Sequence, residues 1–152
     1  MGIFSFRQKK GISGDVAALF PKMQPDGREL RDFSDFHSFD IVQHYNMVAD
    51  SVALILNTKY PRTFFYRYQF AMEAAAKVIS LDKCGYHGRH ARQTLKVLRQ
   101  HRAEIINAFL KRCCDTGKLA AFREEILRES GGLPEECDRY LRSLLHSQSR
   151  GA

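Results

Sequence analysis

No stretch of this chain approaches the roughly 20 consecutive apolar residues that a membrane-spanning helix needs, which excludes a transmembrane helix. The first ten residues are too short and too polar for a secretory leader, and Phe6 breaks the pattern that N-myristoylation requires. Cysteine is sparse. The four thiols are Cys84, Cys113, Cys114 and Cys137, and without a leader they are expected to stay reduced in a cytoplasmic protein. Proline is equally scarce. Pro21 and Pro25 interrupt the first 37 residues, while Pro61 and Pro134 sit where helices are expected to begin.

Several chemistries lack their signatures. There is no phosphate-cradling glycine loop between a strand and a helix, no Gly-x-Ser-x-Gly elbow and no His-Glu-x-x-His pair. Helix-turn-helix, zinc-finger and RNA-recognition patterns are missing too. No internal repeat and no low-complexity segment occurs. The sequence therefore gives no positive reason for an enzyme and calls for no cofactor.

What the chain does carry is a concentrated positive charge. Between residues 89 and 112 stand Arg89, Arg92, Lys96, Arg99, Arg102, Lys111 and Arg112, against the single carboxylate of Glu104. This segment supplies six of the seven net positive charges of the whole protein. Charge gathered in one place makes a directional field, and an acidic partner is expected to land there.

Periodicity predicts an all-α, single-domain bundle of about five helices with an irregular N-terminal arm. At 152 residues such a domain can bury roughly 70% of its unfolded surface. The arm covers residues 1–37, the bundle 38–147, and residues 148–152 form a loose tail. Within the arm, Asp15 is placed to cap a short helix through Val16 and Leu19 that stops at Pro21. Phe33, Phe36 and Phe39 are expected to pin the arm to the core. Ile3, Phe4 and Phe6, followed by Arg7, Lys9 and Lys10, have the composition of a membrane-surface contact.

The first long helix spans 39–56, capped by Ser38 and apolar nearly all round, as a central helix would be. The second starts at Pro61. Phe64, Tyr66, Tyr68 and Phe70 alternate like a strand, but the Ala-rich continuation outweighs that pattern. A turn through Gly85 and Gly88 leads to a third helix over 89–112. Two more follow, over 118–129 and from Pro134, and together they carry the acidic residues Glu124, Glu125, Glu135 and Glu136.

Four groups of side chains are candidates for function. Arg89, Arg92, Lys96 and Arg99 share one flank of the third helix, at about 100° per residue. They are expected to dock an acidic protein surface, with nucleic acid as the alternative. Either reading requires the four to be open rather than neutralised by the acidic hairpin. Exposed aromatic residues, which would stack on single-stranded bases, are missing from that helix as drawn. Arg102 projects from its apolar side and is expected to meet Asp50 or Glu73 in a buried ion pair, or otherwise to hold a ligand. Cys84, His87 and His90 have three-residue spacing within reach of a zinc ion, with Cys113 or Cys114 as a fourth ligand.

Arg139 and His146 lie seven apart on the last helix, with six residues between them. The pair resembles the Arg and His of HEPN-type ribonucleases, which are separated by four to six residues in a helical bundle. That resemblance implies His146 as acid or base, with Arg139 stabilising phosphate charge. It covers these two residues alone, and Tyr140 stands where a small polar residue is usual.

Overall fold

The computed structural model describes residues 12–22 and 36–151. Every regular element among them is helical: α1 (Ile12–Leu19), α2 (Phe36–Asn57), α3 (Pro61–Leu81), α4 (Tyr86–Gln100), α5 (Arg102–Asp115), α6 (Leu119–Ser130) and α7 (Glu135–Gly151). No described helix is long and apolar enough to cross a membrane. The N-terminal membrane contact and the anchoring role of Phe33 fall on residues outside this description.

Seven helices replace the expected five for two reasons. The short element near Asp15 is a helix in its own right. The third long helix is broken at His101, whose φ of −111° and ψ of 27° end α4 and begin α5. No glycine or proline marks the break. Its cause is tertiary. The α4 residues bury one side only, through Ala91, Thr94, Leu95 and Leu98. In α5, by contrast, Ile105, Ile106, Asn107, Ala108, Phe109 and Leu110 are buried in unbroken succession. Six consecutive buried residues cover the whole circumference of a helix, so α5 runs through the interior. One straight rod cannot lie on the surface and also thread the core. His101 nevertheless keeps its backbone bonds, donating to the Val97 carbonyl at 2.9 Å and accepting from the Ile105 amide at 3.0 Å. Its Nδ1 meets Glu104 Oε1 at 2.6 Å across the bend.

The central position expected of the first long helix therefore belongs to α5. The α2 helix starts before Ser38, at Phe36, and leaves Asp50, Ala53 and Leu54 exposed. It packs chiefly on α3, which also carries α4 and α6, while α5 is flanked by α1 and α7. In α3 the aromatic alternation resolves at helical spacing. Phe64 and Tyr68 turn inward, and Tyr66 points to solvent with 60% exposure. Phe64 stacks on Phe109 with ring centroids 4.2 Å apart. Tyr68 donates its hydroxyl hydrogen to the Leu98 carbonyl, tying α3 to the last turn of α4. Each large apolar side chain fully buried in this way contributes about 1.5–3 kcal/mol.

At the C-terminal side, α6 stops at Gly131, whose φ of 65° is the left-handed conformation that glycine adopts without strain. Glu135, Glu136 and Asp138 occupy the first turn of α7, where the helix dipole favours them. The helix continues past Ser147 to Gly151, so the expected loose tail is helical over that span.

The adjacent cysteines divide as their helical positions require. Cys113 is fully buried, Cys114 half-buried. Burial pushes the Cys113 thiol up to about 12, with the nearby Arg112 charge opposing it. Cys137 is raised for the same reason to about 11. A thiol whose folded pKa lies above its unfolded value near 9 holds its proton longer in the native state. Its contribution to stability is complete below pH ~9 and is lost as pH climbs toward 12. Urea unfolding measured from pH 8 to 11 should show stability falling above pH 9. In Cys113→Ala that fall should be shallower, whatever the variant loses in absolute stability.

Candidate functional site

The seven cations of the charged segment are put to different uses. Arg112 is half-buried and structural. Its Nε donates to the Thr58 carbonyl at 3.0 Å and its Nη2 to the Ile55 carbonyl at 2.7 Å, at the C-terminal end of α2, where a cation is favoured. Burial lowers its pKa, yet a guanidinium remains charged. Lys111 is paired with Asp115 at 3.1 Å, which raises its pKa. Arg102 opens α5 and is half-buried. The remaining four are Arg89, Arg92, Lys96 and Arg99.

All four are exposed on one side of α4. None forms an ion pair with a carboxylate among the described residues. The acidic hairpin does not cover them. The α4 helix rests on α3, with smaller contacts to α2 and α5, and makes no comparable contact with α6 or α7. Two of the four are held in place. Arg89 Nη1 donates to the Cys84 carbonyl at 2.8 Å, and Arg92 Nη2 donates to the Lys83 carbonyl. A guanidinium carries five N–H donors, so each retains donors for a partner while having lost part of the freedom that binding would cost.

The turn that presents this side is built on Asp82. Its Oδ1 accepts from the Gly85 amide at 3.1 Å and its Oδ2 from the Gly88 amide at 3.0 Å. One carboxylate thus satisfies two amides at the α4 N-terminus, where negative charge is favourable. The aspartate three residues before a glycine, at the end of an apolar run, was the sequence signal for it. Gly88 is required for another reason: a Cβ there would lie 1.6 Å from the Asp82 carbonyl oxygen, a backbone atom.

Cys84 is exposed with its carbonyl taken by Arg89, His90 Nδ1–H donates to the Tyr86 carbonyl at 3.0 Å, and the His87 ring stands edge-on to Tyr45 at 4.5 Å. Among the described residues no three His, Cys, Asp or Glu side chains converge on a metal position. Arg139 and His146 are both exposed on α7.

The start of α4 at Tyr86 rather than Arg89 adds an aromatic residue to this helix. Tyr86 is 53% exposed at the head of α4, its ring 4.2 Å from that of His90. An aromatic platform therefore does stand on the same helix as the cations.

Arg102 is not paired with Asp50 or Glu73. Asp50 is exposed on α2, and Glu73 accepts from Gln69 at 2.9 Å. Arg102 instead faces a cleft bounded by α3 and α6 residues, including Tyr68 and Glu129. Burial raises the Tyr68 hydroxyl, and the Arg102 charge partly offsets that rise.

Gly88→Ala should cost about 1–3 kcal/mol, read as a lower urea midpoint with an unchanged slope, because the backbone oxygen it meets cannot move without displacing the turn. Comparison with models of known protein families, with curated proteins and with solved structures found no match, so the side chains themselves must indicate what this site does.

Proposed function

We propose that the protein is a non-enzymatic, single-domain helical bundle that acts as a binding or adaptor module, docking an acidic protein surface on the outer side of α4. The supporting observation is that Arg89, Arg92, Lys96 and Arg99 stand exposed together without a carboxylate partner among the described residues. Four cations along one helix raise the encounter rate with an acidic surface and fix its register. The anchoring of Arg89 and Arg92 to the preceding turn fits a face that is set before the partner arrives.

Nucleic acid is the second reading, favoured by one observation. Tyr86, with His90 against it, supplies the stacking surface that single-stranded bases use beside a cationic track. The exposed pair Arg139 and His146 has no comparable support for the ribonuclease chemistry that the HEPN-type resemblance implies.

Lysine-directed cross-linking of the full chain in its native extract tests the docking reading. Partner peptides linked to Lys96 are expected to be rich in Asp and Glu. Reversing the charge of two positions (Arg92→Glu with Lys96→Glu) should weaken the isolated complex about tenfold or more, and raising salt should do the same. Retention of a single-stranded polynucleotide at low salt, lost in Tyr86→Ala and in the charge-reversed protein, would instead select the nucleic-acid reading.

A further inference from the structure

The cleft that Arg102 faces is of mixed polarity, with Phe65, Met72 and Ile106 supplying its apolar part, and has a volume of about 290 Å³. That is close to the lower end of the range for small-molecule sites, roughly 300 Å³. Its polar lining can be accounted for group by group. The Tyr68 hydroxyl is committed to the Leu98 carbonyl. The Ser130 hydroxyl donates to the Leu127 carbonyl at 3.2 Å and accepts from the Gly132 amide at 3.1 Å. Gln69 donates to Glu73. Glu129 lies between two cations, 3.6 Å from Arg62 and 3.9 Å from Arg128.

Arg102 is the exception. No hydrogen bond or ion pair joins its guanidinium to another described residue, although it is half-buried. The guanidinium nitrogens keep access to solvent, so an acceptor from outside can reach them and replace water as their partner. The surroundings favour an anion. Glu129 is already shared by two arginines, so the Arg102 charge is not cancelled by it.

We propose that this cleft binds a small monocarboxylate with an apolar tail. The planar carboxylate takes the guanidinium fork of Arg102 in a bidentate pair, the form in which this group recognises carboxylates best. The tail lies against Phe65, Met72 and Ile106.

The test uses the full-length protein with hexanoate as probe and hexanamide as its uncharged counterpart. Titration should show saturable one-to-one binding of hexanoate, with hexanamide weaker by about tenfold or more, the loss expected when a charged hydrogen bond is removed. Arg102→Gln should lose about as much. The Nε–H signal of Arg102 in the unmodified protein should shift with hexanoate occupancy, a readout that stands even where the variant folds poorly. Arg102→Lys should keep the preference for hexanoate over hexanamide at reduced affinity. Equal binding of the two probes, undiminished binding in Arg102→Gln, or an unmoved Arg102 signal would overturn the proposal. So would a double-mutant cycle with Glu129→Gln showing that Arg102 and Glu129 stabilise one another in the free protein. The Arg92→Glu, Lys96→Glu protein should bind hexanoate normally, so this site and the docking side of α4 succeed or fail separately.

Discussion

The burial of α5 on every side from Ile105 to Leu110 is the constraint from which the rest of the arrangement follows. A helix enclosed on every side can carry charge only at its two ends, and this one does. Arg102 and Glu104 stand at its start, and Lys111, Arg112 and Asp115 at its finish. The cations in between have been moved up the chain, beyond the bend at His101, onto a helix that buries one side only. The bend thus separates an apolar segment that makes the core from a charged segment that lies on its surface. Arg112 closes the far end, because its guanidinium takes the Ile55 and Thr58 carbonyls and holds the α2–α3 connection against α5.

The same division of the chain makes net charge a poor guide to the number of cations a partner can reach. Seven cations in 24 residues read as one field in the sequence. In three dimensions Lys111 is neutralised locally, Arg112 is spent on backbone carbonyls, and Arg102 is recessed. Only the four on α4 remain exposed together. They were legible because a stripe at helical spacing needs nothing but the helix itself to form.

Helix identity was legible wherever local signals sufficed: Pro61 at a first turn, the glycines after α6, the acidic first turn of α7, and the Ala-rich stretch that overrode the strand-like alternation of Phe64 to Phe70. The break at His101 was not, since no residue there opposes helix and the bend answers to packing elsewhere. The same holds for the central helix. Both α2 and α5 are rich in apolar residues, and periodicity cannot say which of the two is covered on all sides. The partner of Arg102 was unreadable for a related reason. Helical spacing shows that a cation projects from an apolar side, but the position of the nearest carboxylate depends on how neighbouring helices are rotated, and Asp50 and Glu73 are turned outward. Asp82 and Tyr86 were hidden by a smaller error, a helix start drawn three residues late.

The two cationic features differ in physics as well as in place. The α4 side lies in water, where a Debye length of about 10 Å at 0.1 M salt limits its reach and makes any attraction it exerts sensitive to ionic strength. Arg102 lies in a cleft of mixed polarity, where a single well-aligned carboxylate can take its fork in a bidentate pair beside the apolar contacts of Phe65, Met72 and Ile106. An extended row of exposed cations suits a broad partner held by many modest contacts. A lone recessed guanidinium suits a small ligand held by one strong contact and an apolar surface. One short segment of chain presents both because the bend at His101 sends its two halves into surroundings of different polarity.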